Sequence, residues 1–177
     1  MKFTRLILTA TGFTQDLGER TGLEIFHARL HQEFAAPLTV VPLPVAWHYG
    51  VTRLVNWIAE NVDPAEARID VIAYSYGGGV WFPKFQKQLA KLGTVGLHTV
   101  CLVDPVPRWR PFNIFRKLVI VNDAQRVRWF AQDADYPRSG GVHWTGGPAK
   151  RIYIPGVSHN RIDNHPLVHA DILEALK

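Results

Sequence analysis

The chain has 177 residues, of which 47% are hydrophobic and 20% charged, and it carries a formal net charge of +5. These proportions exclude a disordered, collagen-like or disulfide-scaffold protein, and the length is that of one domain, residues 1–177, able to bury a core without covalent staples. One cysteine, Cys101, excludes an internal disulfide and fits a reducing, cytoplasmic setting.

The first residues, MKFTRLILTATGF, place a basic start before an apolar stretch. Leu6, Ile7 and Leu8 give way at once to Thr9, Thr11 and Gly12, so residues 6–11 read as a first strand rather than a signal peptide. Leu23, Phe26, Leu30 and Phe34 fall at helical spacing and predict a helix over 22–35. Residues 38–45 are strand-like, with Pro42 and Pro44 better suited to the end of a strand than its middle. Val51, Leu54, Val55, Ile58 and Val62 mark a second helix, stopped by Asp63-Pro64. A strand over 69–73 is followed by a helix over 80–92, with Gly93 as its stop. Further strands are expected over 98–103, 118–121 and 151–154, with a glycine-, proline- and serine-rich loop over 133–148. The last helix is Pro166–Leu176, capped by Asp163 or Asn164. No stretch approaches the roughly 18 apolar residues of a membrane span.

Alternating strands and helices, with near-continuous apolar strands, predict an α/β fold: a mostly parallel sheet of about six strands with helices on both faces. The ligand crevice of such a sheet lies at the carboxyl ends of its strands. Those ends carry Gly12-Phe13, Trp47-His48, Ser75, Asp104, Asn122-Asp123 and, after Ile154, His159. Ser, Asp and His are the residue types that nucleophilic catalysis needs. A serine hydroxyl is a poor nucleophile until a base takes its proton, histidine is the natural base near neutral pH, and a carboxylate holds the histidine tautomer.

The stretch AYSYGGG, residues 73–79, follows an apolar strand and precedes a helix. AYSYG resembles the G-x-S-x-G nucleophile elbow of the α/β-hydrolases, with Ala73 standing where the family has glycine; alanine is still small enough for close approach. The resemblance runs from the Gly12-Phe13 turn to the His159 loop. It aligns the first strand with the family's third and leaves no insertion long enough for a cap, so an open site is expected. It implies Ser75 as nucleophile, His159 (in GVSHNRID) as base, and the backbone N–H groups of Tyr76 and Phe13 as the oxyanion hole. The acid is Asp104 (in CLVDPVP) or Asp123 (in VIVNDAQ). The DPVP context is similar to that of esterase-like members with the earlier acid, which favours Asp104. Trp109 and Phe112, just past Asp104, either form a lip that receives an acyl chain or cover the sheet edge as core.

Other readings are weaker. The glycines lack the following Lys-Ser or Lys-Thr of a phosphate cradle. Between Pro105 and Phe130, six basic residues and one acid are mixed with aromatics, but no nucleic-acid motif accompanies them, so a solvated basic face is expected and no specific nucleic acid. His165 and His169 are four apart without the glutamate of H-E-x-x-H and read as a surface pair, so no metal is expected. The expected function is cofactor-free cleavage of a small-molecule or lipid-like ester through a Ser-His-Asp triad. The alternatives are a thioesterase or acyltransferase with the same triad, or a non-catalytic binding domain on the same fold.

Overall fold

The computed structural model describes residues 2–13, 22–34, 40–41, 44–93, 96–107, 119–137 and 139–177. Among them the elements run β1 Arg5–Ala10, α1 Gly22–Glu33, α2 Val51–Asn61, β2 Arg68–Tyr74, α3 Phe82–Leu89, β3 Leu97–Val103, β4 Val119–Ala124, β5 Arg126–Ala131, β6 Val142–Gly146, β7 Ala149–Tyr153, α4 His159–Ile162 and α5 Pro166–Leu176. The strands β1, β2, β3, β5 and β7 form one parallel sheet in that order, and β4 pairs with β6, also in parallel, in a second sheet.

The expected mostly parallel sheet is present; among the described residues its main part has five strands, and two more form the second sheet. Two bent segments each serve both sheets: Gln125 alone separates β4 from β5, and residues 147–148 separate β6 from β7. The stretch 133–148, expected as a loop, therefore contains β6. In β5 the strand pattern is disguised by Arg126 and Arg128, which look like a solvated charge run. Both reach α5 instead, Arg126 donating to the Ala175 carbonyl at 2.5 Å and Arg128 to Asp171 at 2.9 Å.

Of the expected strand 38–45, residues 40, 41, 44 and 45 are described, and Val40 and Val45 form isolated parallel bridges with Ile7 and Ala10 of β1. Val41 N–H donates to the Ile7 carbonyl (3.1 Å), Val45 N–H to Thr9 (2.7 Å) and Thr11 N–H to Val45 (2.9 Å). Pro44 has no N–H to continue the ladder. The chain thus leaves β1 for one side of the sheet and returns to place β2 on the other. That reversal is a topological switch point, where a crevice opens between the loops that follow the two strands.

Period-two alternation sends each strand's side chains to opposite faces. Leu6, Leu8, Ile69 and Val71 pack with Leu54 and Ile58 of α2 and Phe85 of α3. Ile7, Ile72, Cys101 and Phe130 pack with Phe26 and Leu30 of α1 and Ile172 and Leu176 of α5. At the amino end of the sheet, fully buried Asp70 pairs with Arg5 (3.0 Å), Arg68 (3.1 Å) and His98 (3.1 Å) and accepts the Thr99 N–H (3.1 Å). Arg5 and Arg68 also donate to the Leu176 carbonyl, tying down the end of α5.

The helix predicted over 80–92 is three pieces: a π-type turn Gly77–Trp81, α3, and a 3₁₀ turn Ala90–Leu92, ended by Gly93 in the left-handed conformation at φ 69°. Helix α5 has the predicted bounds but a different start. Its capping position is His165, with no side-chain bond, while the Asp163 carboxylate accepts the Leu23 N–H of α1 at 3.0 Å. His169 is buried rather than on the surface. Its ring stacks on Phe26 at 4.4 Å and its Nε2–H donates to the Asp163 carbonyl at 2.6 Å. No helix among the described residues is long and apolar enough to cross a membrane.

Candidate active site

Beyond Asp70 the strand β2 is buried on both faces, and it runs straight into Ser75, which takes the left-handed conformation at φ 51°. That conformation costs a non-glycine residue roughly 1–2 kcal/mol and turns the chain sharply into the following helix. Four backbone bonds hold the corner. Ser75 N–H donates to Val103 (3.0 Å), and the Ser75 carbonyl accepts from Gly79 (2.9 Å) and Val106 (2.9 Å); beside it, Asp104 N–H donates to Phe130 (2.8 Å). The glycines are required by contact. A β-carbon on Gly77 would stand 2.5 Å from the Ala10 carbonyl oxygen, and one on Gly79 would stand 2.0 Å from that of Val106. Ala73 is fully buried against the core and is accommodated where the family's elbow has glycine.

Three side chains converge above this turn. Ser75 Oγ lies 2.9 Å from His159 Nε2, and His159 Nδ1 lies 2.6 Å from Asp104 Oδ2. Ser75 follows β2, Asp104 follows β3, and His159 opens α4 after β7. With Nδ1–H donated to Asp104, the other ring nitrogen is left to accept the Ser75 hydroxyl proton. The three residues are 3%, 5% and 0% exposed in the order Ser75, His159, Asp104.

Asp123 stands elsewhere. It is an exposed residue of β4, ahead of β5, and so lies toward the amino end of the main sheet. It lines a cleft of about 770 Å³ between α3 and β4 that none of Ser75, Asp104 and His159 touches. The residue that does follow β5 at the carboxyl edge is Gln132, 4% exposed, whose amide donates to Asp104 Oδ2 at 2.9 Å. Asp135 accepts the His159 N–H at 2.7 Å. Tyr74 donates its hydroxyl to the His159 carbonyl at 2.7 Å and stacks on the imidazole at 5.1 Å. Burial, and then the charges of Asp163, Asp104 and Asp135, hold the Tyr74 hydroxyl well above its ordinary pKa. Gln132 and Asp135 escaped the sequence reading because β5 itself did. Tyr74 carried a signal, as the residue next to the serine.

Phe13 and Tyr76 lie together, with ring centroids 5.5 Å apart, so the turns after β1 and β2 are neighbours. Trp47 packs on both, at 5.5 Å from Phe13 and 5.3 Å from Tyr76. Phe13 is 55% exposed, which gives an aromatic rim beside the serine. Trp109 and Phe112, expected to touch substrate, lie outside the described residues.

A parallel sheet with this order, a serine elbow after a central strand and helices on both faces is the α/β-hydrolase fold. Neither a protein-family model nor a curated protein matches the sequence. Among solved structures the chain is similar to SrfTE, the thioesterase domain that cyclises the lipopeptide antibiotic surfactin, at 13% identity over 98% of this chain and 92% of that one, with a TM-score of 0.57. It is similar to ClbQ of the colibactin NRPS/PKS pathway at 12% identity, over 97% of each chain, with a TM-score of 0.57. It is also similar to EstE1, a thermophilic carboxylesterase from a metagenomic library, at 14% identity over 98% of this chain and 80% of that one, with a TM-score of 0.53. At these identities the likeness is one of fold.

Proposed function

We propose that the protein is a serine hydrolase that cleaves carboxylic esters through an acyl-enzyme. One observation carries the reading: Ser75, His159 and Asp104 form an unbroken hydrogen-bonded chain at the carboxyl edge of the sheet, beside the switch point. In the proposed course, Ser75 Oγ attacks the ester carbonyl as its proton passes to His159 Nε2. The carbonyl oxygen becomes an oxyanion facing the N–H groups of Tyr76, at the start of the turn where such groups lack helical partners, and Phe13. One such donor typically contributes about 3 kcal/mol to the transition state. Asp104 stabilises the imidazolium, which then protonates the departing alkoxide. Water, deprotonated by His159, releases the acyl group and restores Ser75.

The rim of Phe13, Trp47 and Tyr76 suits an apolar group on a small-molecule or lipid-like ester, since aromatic side chains bury large areas of apolar surface. A thioester substrate is the second reading, favoured by the thioesterase domain among the similar structures. The test is a fluorophosphonate probe. Labelling of the wild type that is lost in Ser75→Ala is expected, and absence of labelling in folded wild type sinks the reading. Parallel assays with oxyester and thioester analogues of equal acyl length then choose between the two substrates.

A further inference from the structure

We propose that Gln132 is the positioning residue of this site, its side-chain amide holding the Asp104 carboxylate and, through Asp135, the backbone of His159. The inference rests on the hydrolase reading for its kinetic consequence but not for its geometry.

Gln132 is 4% exposed, so its amide must find partners inside the protein. Its Nε2 donates to Asp104 Oδ2 (2.9 Å) and to the carbonyls of Pro137 (3.1 Å) and Asp135 (3.3 Å), and its Oε1 accepts the Asp135 N–H (3.2 Å). Asp135 in turn accepts the His159 N–H at 2.7 Å. One amide therefore joins the acid to the backbone of the base across three separate strand ends.

The arrangement matters because Asp104 is held through one oxygen. Both of its side-chain bonds, from His159 Nδ1 and from Gln132 Nε2, end on Oδ2, and the buried Oδ1 has no partner among the described residues. Without Gln132 the carboxylate keeps a single bond, the one to the group it is meant to orient. The groups facing this pair are Ser75 and Tyr74 from the end of β2, Asp135 after β5, and Asp163 after α4. Three carboxylates already bear on Tyr74, so a fourth at position 132 would meet repulsion.

Two variants test the idea. Gln132→Glu keeps the shape and the acceptor for the Asp135 N–H but loses both N–H donors; Gln132→Leu removes every polar contact. The measurements are kcat and KM on a p-nitrophenyl ester, the rate of fluorophosphonate labelling between about pH 5 and 9, thermal unfolding, and the low-field proton NMR signal of His159 Nδ1–H. Loss of a hydrogen bond to a charged group predicts a fall in kcat of about 10- to 100-fold with KM unchanged. The acid limb of the rate profile should move to higher pH, further in Gln132→Glu than in Gln132→Leu, and the low-field signal should shift with it. Folded variants with wild-type kcat, pH midpoint and NMR signal overturn the proposal. So does a lower melting temperature with an unaltered pH midpoint in the folded fraction, which is the mark of a merely structural role. If the wild type takes no label but Gln132→Glu still displaces the His159 signal, the hydrolase reading falls and the positioning role stands.

Discussion

Ser75 and Asp104 leave the ends of neighbouring parallel strands in the same left-handed conformation, at φ 51° and 43°. Each turn lifts its side chain out of the sheet edge toward His159. Aspartate and asparagine both tolerate this backbone region, so Asp104→Asn preserves the turn while changing what Nδ1 of His159 meets. An amide presented to Nδ1 favours the wrong tautomer, and a loss of about 10⁴ in kcat is expected. Asp123→Asn, far from the serine, should stay within a few-fold of the wild type. Steady-state kinetics on both variants checks the pair.

The elbow also makes a stability prediction. A methyl group on Gly79 would have to displace the Val106 carbonyl, 2.0 Å from its β-carbon, and that is backbone rather than a yielding side chain. Gly79→Ala should cost at least about 3 kcal/mol, at the upper end of overpacking effects. Gly50→Ala, where a β-carbon meets nothing within 4 Å, should cost less than about 1 kcal/mol. Urea unfolding measures both.

At the opposite edge of the sheet, Asp70 is fully buried among Arg5, Arg68 and His98. Removing one partner of a buried ionic cluster leaves the others uncompensated, so Asp70→Ala should destabilise by about 3–5 kcal/mol. Labelling of Ser75 in the fraction still folded should be unaffected, because the cluster lies at the far end of β2.

His169 gives the protein a pH dependence of stability. Burial lowers its pKa below the ordinary 6.5, helped by the nearby positive charge of Arg29 and opposed by its bond to the Asp163 carbonyl. As pH falls below 6.5 the unfolded chain takes up a proton that the folded chain refuses, so stability present above that value is lost on acidification toward the lowered native value. The urea midpoint should fall between about pH 7.5 and 5.5, and the drop should shrink in His169→Gln.

The sequence by itself determined the local features. Apolar runs followed by helical spacing marked β1, β2, β3, α1, α2 and α5, because one-faced or two-faced burial leaves its period in the chain. The serine turn was readable for the same reason, since strand, small residue, Ser75 and glycines are contiguous. Tertiary structure alone decided what depends on partners distant in the chain. The arginines of β5 resemble a solvated charge run until α5 is in place to receive them, and without β5 the segment carrying Asp123 seems to end at the wrong edge of the sheet. Hence the nearness of Asp104 rather than Asp123 to His159, and the seat of Gln132 beside both, follow from which strands pair and how far each one runs. No local pattern encodes that, because the bonds that set it join residues 28 to 84 positions apart.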